Sequence, residues 1–182
     1  RVPGTHDRND IQHYVSVVNQ VKGQEKELSS GSISEFGLHG DGDGLLVNFI
    51  DDLYFVGQIP GKYPQGTIYT NLDFAKQVLK GTTEEKKHLS VLRKSIFVTE
   101  IPSYTKNGQD EDGNSFAMPV LANGDSAMRL HPTTKPSDKE RPAVISQAEK
   151  ALAWLRNLLT ETALSVTLSP FQVLIIPNRK GK

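Results

Sequence analysis

In the stretch FGLHGDGDGLL, Phe36 to Leu46, a histidine stands two residues before an aspartate among four glycines. In extended backbone, residues i and i+2 point to the same side. His39 and Asp41 can therefore reach one ion together while Gly40 points away. This is an economical way to build two legs of a 2-His-1-carboxylate triad, which leaves open positions on Fe(II). An imidazole with a carboxylate suits iron better than calcium, which prefers all-oxygen shells. Flanking glycines keep side-chain bulk away from whatever else the ion binds. Two other readings of the same residues stay open. One is a calcium loop built on Asp41 and Asp43, although EF-hand spacing fails because no Glu stands at the twelfth position. The other is a tight turn with solvated aspartates.

The whole chain narrows the choice. Its 182 residues suit one domain, 1–182, with enough length to bury a core. The absence of cysteine excludes a disulfide framework, a zinc-thiolate site and a cysteine nucleophile, and it fits a reducing compartment such as the cytoplasm. Basic and acidic residues balance at 21 each, so no global field draws in nucleic acid or an anionic membrane. No apolar run approaches the roughly 20 residues of a membrane span, and no signal peptide opens the chain. The chain starts at Arg1 and stops just after an apolar run, so both ends are expected to be incomplete.

The elements that must position His39 and Asp41 are legible in patches. Ile11, Tyr14, Val15, Val18 and Val21 fall at helical spacing. Leu45–Ile50 and Leu53–Ile59 read as strands joined at Asp51-Asp52, followed by a Gly/Pro loop over 57–66. Leu72, Ala75, Val78 and Leu79 predict a short helix with Asn71 as N-cap and Gly81 as stop. Thr82 with Glu85 predicts a capping box for a helix through Leu92. Ser95–Thr99 and Met118–Leu121 read as short strands. The polar segment 104–115, YTKNGQDEDGNS, is either a mobile lid or a plain hairpin tip. The proline-rich segment 131–142 reads as a surface loop. Ala148, Leu152, Leu155 and Leu159 mark an amphipathic helix, with Trp154 expected to pack in the core. Val166–Leu168 and Phe171–Ile176 are the last strands, broken at Ser169-Pro170. His6, His13 and His88 are expected to face solvent. Short strands interrupted by helices predict a mainly β fold with flanking helices.

Beyond H-x-D, the order of features resembles the Fe(II)/2-oxoglutarate-dependent oxygenases of the clavaminate synthase-like and taurine dioxygenase-like group. Thr67, in GTIYTNLDFAKQVL with a helix behind it, looks like the threonine that binds the 2-oxoglutarate carboxylate in that family. LSPFQVLIIPNRKGK, Leu168 to Lys182, looks like the apolar strand and N-R turn that lead into the family's distal metal histidine. That histidine is expected just after Lys182, with the 2-oxoglutarate arginine further on. His131, with Arg141 behind it, is the weaker candidate for the third ligand, and an ordinary loop histidine is the alternative.

The resemblance implies a double-stranded β-helix, or jelly roll, that holds Fe(II) through His39 and Asp41 and 2-oxoglutarate with help from Thr67. It implies hydroxylation or a related oxidation of a C–H bond in a small amino-acid-like substrate, with O2 as co-substrate. Arg129, in SAMRL, lies where this family often meets its substrate, and its guanidinium could pair with a carboxylate. A surface arginine is the other reading. The functional alternative is a non-catalytic jelly-roll module that binds a ligand or a protein, in which H-x-D is incidental.

Overall fold

The computed structural model describes residues 38–39, 52–56, 67–100 and 113–177. In chain order these form β1 (Asp52–Val56), β2 (Thr67–Tyr69), α1 (Leu72–Gln77), α2 (Thr83–Leu92), β3 (Phe97–Val98), β4 (Leu121–Ala122), β5 (Ala127–Met128), β6 (Lys135–Pro136), α3 (Pro142–Glu161), β7 (Leu164–Val166) and β8 (Val173–Pro177).

The strand pairing is nested. β1 pairs with β8, β2 with β7, β3 with β6 and β4 with β5. All four pairs are antiparallel, with Tyr54 opposite Ile175, Ile68 opposite Ser165, Phe97 opposite Pro136 and Leu121 opposite Met128. Single bridges join Phe97 to Met118 and Glu100 to Asn114. The innermost pair closes through Asn123, Gly124 and Asp125, all at positive φ. An Asn-Gly dipeptide adopts this conformation readily.

The helices start where local chemistry dictates. Asn71 Oδ1 accepts from Asp73 N–H at 2.7 Å and caps α1. Thr82 and Glu85 form the reciprocal capping box of α2, with Glu85 N–H donating to Thr82 Oγ1 and Thr82 N–H to Glu85 Oε2. Pro142 opens α3, where its missing N–H costs nothing. The inner face of α3 buries Ala148, Ala151, Leu152, Leu155, Leu158 and Leu159. These pack with Leu72 and Ala75 of α1, Val91 and Leu92 of α2, and Phe97, Val120, Leu121, Met128 and Leu130 of the strand region. Each buried leucine contributes about 2 kcal/mol of apolar transfer. Trp154 packs against this core from its edge, as expected.

Several sequence expectations need correction. Asp52 does not turn the chain; it begins β1 opposite Pro177. α1 ends at Gln77, and Gly81, at φ +72, redirects the chain into the cap of α2. The last strands are shifted, because Phe171 sits in the turn at φ +68 and is 94% exposed. His88 is half-buried and stacks on Trp154, with ring centroids 5.2 Å apart. Segment 131–142 is anchored rather than a plain surface loop: it contributes β6 and buries Thr134, Pro136 and Ser137. The expected helix over 11–21, the strand over 45–50 and the loop over 57–66 lie outside the described residues. No described helix is long and apolar enough to cross a membrane.

Candidate metal centre

His39 is half-buried, and the preceding Leu38 packs against the core. The structure sets His131 beside it. The two imidazole rings meet edge to face, with centroids 6.3 Å apart and planes at 78°. The weaker third-ligand candidate therefore lies next to the stronger first one, although the two are 92 positions apart in sequence.

His131 arrives there through β5 and the turn that follows. Arg129 N–H donates to Val120 O at 2.7 Å, which extends the β4–β5 ribbon, and Leu130 is buried. The chain then turns, with Thr134 N–H donating to His131 O at 2.9 Å and His131 N–H to Thr134 Oγ1 at 3.0 Å. Thr134 Oγ1 also meets Thr99 Oγ1 at 3.0 Å. Thr99 in turn exchanges bonds with Ser115, accepting from its backbone N–H and donating its own to Ser115 Oγ. Thr133 joins the ring itself: its Oγ1 lies 2.8 Å from His131 Nδ1, and it donates to Glu100 O at 3.3 Å. From the far side, Arg156 Nη2 donates to the carbonyls of Thr134, Pro132 and His131 at 2.9, 3.2 and 3.4 Å.

Burial, and then the neighbouring His39, push the His131 imidazole down to about 4. The ring is therefore neutral in the physiological range. Burial also holds the Arg156 guanidinium below its ordinary value; its charge is solvated by carbonyl dipoles.

The donor chemistry fits a borderline metal ion such as Fe(II). His39 offers a half-buried imidazole, a donor that such an ion accepts. His131 is set further off. With metal–nitrogen bonds of about 2.1 Å, two imidazoles at right angles on one ion place their centroids roughly 4.6 Å apart. The observed 6.3 Å is wider than that spacing. Among the described residues, no three His, Cys, Asp or Glu side chains cluster to hold a metal.

The remaining predicted site residues are placed as follows. Thr67 begins β2, opposite Val166. Arg129 is half-buried, and its Nε is enclosed. Arg141 is the exposed N-cap residue of α3. Asp41, Asp43 and most of the proposed lid lie outside the described residues. The lid's C-terminal end is fixed, since Asn114 bridges Glu100 and Ser115 is buried. Sequence reading missed Arg156, Thr133, Thr134, Thr99 and Ser115. Single hydroxyls and one helix arginine carry no spacing signal, and their partners are remote in sequence.

No protein-family model matches the chain, and no curated protein matches it by sequence. Solved structures do match in three dimensions. Asparagine oxygenase in complex with Fe(II), 2S,3S-3-hydroxyasparagine and succinate aligns with a TM-score of 0.67 and 19% identity, covering 90% of this chain and 48% of that one. The non-haem iron oxygenase OrfP in complex with Fe and alpha-ketoglutaric acid aligns with a TM-score of 0.64 and 17% identity over 90% of this chain and 48% of that one. OrfP in complex with Fe, succinate and (3S)-hydroxy-L-Arg gives 0.62 and 17%, over 90% and 47%. The chain shares their fold. It spans about half the length of these structures.

Proposed function

We propose that this chain is the core of a non-haem Fe(II)/2-oxoglutarate-dependent oxygenase that oxidises a C–H bond of a small amino-acid-like substrate. The observation that carries this reading is His39, half-buried in a chain that shares the fold of two iron oxygenases. The nested strand pairing supports a jelly roll, because one long antiparallel hairpin rolled on itself leaves this order of partners.

In this reading His39 and Asp41 hold the ion. The third ligand is the histidine that the resemblance leads one to expect after the C-terminal apolar strand, and His131 stands beside His39. Fe(II) with 2-oxoglutarate, when bound, would supply O2 activation, in which one oxygen atom ends in succinate, with loss of carbon dioxide, and the other in the oxidised substrate. The work of this chain is positioning and exclusion of water. His39 orients an imidazole lone pair. Thr67 gives a hydroxyl to the 2-oxoglutarate C1 carboxylate, and Arg129 meets a substrate carboxylate.

His39→Ala or Asp41→Ala abolishes Fe(II)-dependent succinate formation while circular dichroism stays unchanged. Full activity in either variant removes the metal assignment and leaves a ligand- or protein-binding module of the same fold. Thr67→Val raises the apparent 2-oxoglutarate KM about tenfold, since a hydrogen bond to a charged group contributes about 1.5–3 kcal/mol. An unchanged KM moves that role elsewhere. Thr70 is then a poor substitute, because it is fully buried with its hydroxyl 3.4 Å from that of Thr162.

A further inference from the structure

Arg156 sits in α3, outside the residues assigned above to metal, cofactor or substrate. Its Nη2 is directed at three carbonyls of one turn, those of His131, Pro132 and Thr134. A turn of this kind is already closed by its own bonds, Thr134 N–H to His131 O and His131 N–H to Thr134 Oγ1. The guanidinium adds a tie between that turn and a rigid helix. What the turn presents is the His131 ring, edge to face with His39.

His39 lies between two glycines, Gly37 and Gly40 being its nearest such neighbours on either side. Neither glycine carries a side chain that could wall the His39 ring, and the His131 ring meets it edge to face. We propose that Arg156 is a positioning residue for the metal centre: by tying the 131–134 turn to α3 it holds the His131 ring against His39, and so sets the orientation in which His39 meets an ion. The inference rests on reading His39 as a metal ligand. Groups that support a ligating histidine are worth about 10–100-fold in metal affinity, and a brace one ring removed belongs at the lower end.

The test is Co(II) titration of the purified protein, read as the Kd and as the visible d–d spectrum, with thermal unfolding measured on the same samples. Arg156→Met raises the Co(II) Kd about tenfold and broadens the spectrum. Arg156→Lys, which keeps the charge but loses the planar fork, falls between. His131→Ala raises the Kd like Arg156→Met, whereas His131→Phe, which keeps a ring against His39, restores it to within about threefold of the native protein. A lower Tm with an unchanged Kd in Arg156→Met makes Arg156 purely structural and overturns the inference. If Arg156→Met does not fold, Arg156→Lys and His131→Ala decide, and a native Kd in both overturns it. Loss of all Co(II) binding in both His131→Ala and His131→Phe makes His131 a ligand and overturns the brace. His39→Ala separates the two levels of the argument: if it binds Co(II) as the native protein does, the metal reading fails and the inference fails with it. If it loses Co(II) while Arg156→Met does not, the metal reading stands and only the brace is lost.

Discussion

Two arginines reach from helices into tight turns at either end of β5, and they meet opposite kinds of partner. Arg93, at the end of α2, meets a carboxylate: its Nε and Nη2 lie 2.9 and 2.6 Å from the two oxygens of Asp125, and Lys76 of α1 adds a third contact at 2.8 Å. Arg156, within α3, meets carbonyls. The Asp125 turn ties α1, α2 and the β4–β5 hairpin together through formal charges. The His131 turn is held by dipoles and hydroxyls. A charged tie is the stronger one, but it depends on ionisation. The accepting carbonyls do not titrate, so that tie holds wherever the His131 ring of the same turn stays neutral. Stability is assigned to the first turn and orientation of a site to the second.

The largest stability effect is expected at Asp125. The residue is buried at φ +67, a conformation that Asn also tolerates. Asp125→Asn therefore removes the charge with little backbone strain and leaves Arg93 and Lys76 with a weaker acceptor. Because both cations are partly exposed, the expected loss is about 2–3 kcal/mol in urea unfolding. The Co(II) affinity should not move. Arg156→Met should show the reverse order, with a smaller loss of stability and a larger loss of affinity. If the two variants change both quantities in proportion, the division between the turns is broken.

Acid sharpens the same contrast. Hydrogen bonding from Arg93, followed by the contacts from Lys76, pulls the Asp125 carboxyl down to about 2. Its folded value lies below the unfolded value of about 3.9, so the unfolded chain binds the proton first. The stabilisation is full above about pH 4 and is lost as the pH falls through about 2. The native protein should lose stability more steeply than Asp125→Asn over that window. Equal slopes would show that the carboxylate is not held by its two cations.

How much of this was legible follows the range of each interaction. The capping box at Thr82 and Glu85, the Asn71 cap and the buried stripe of α3 are written within a few residues, and each was readable. The strands were harder. β3, β4, β5 and β6 have two residues each, too short to show alternation, and their register depends on partners elsewhere. The tie at Asp125 joins residues 49 and 32 positions apart. His131 was the most misleading case. Its prolines describe a surface loop, whereas the burial of Thr134, Pro136 and Ser137 comes from packing that no local pattern records. At the candidate site, H-x-D singled out His39 as a residue to watch, but nothing in the sequence announced that a second imidazole would be packed against it.

A smaller effect is expected inside the His131 turn. Thr99 and Thr134 meet through their hydroxyls at 3.0 Å in a buried setting. Thr99→Val keeps the shape and removes the bond, at a cost of about 1 kcal/mol. His131 N–H still has Thr134 Oγ1 as its acceptor, so the turn should keep its form and the Co(II) Kd should change less than in Arg156→Met. A larger affinity change in Thr99→Val would move the site's support from the helix arginine to the hydroxyl pair.

The smallest effect belongs to the ion pair at the outer end of the same segment. Lys135 Nζ lies 3.2 Å from Asp138 Oδ2, with the two side chains 49% and 81% exposed. At that exposure water screens the attraction, and fixing two mobile side chains offsets much of what remains. Asp125 differs in that its carboxylate is buried, a second cation is present, and Arg93 meets both of its oxygens. Asp138→Asn should therefore change unfolding free energy by less than about 0.5 kcal/mol, with the same result in low and in high salt. A loss near that of Asp125→Asn would mean that charge alone, and not the buried place of the carboxylate, sets the strength of the tie.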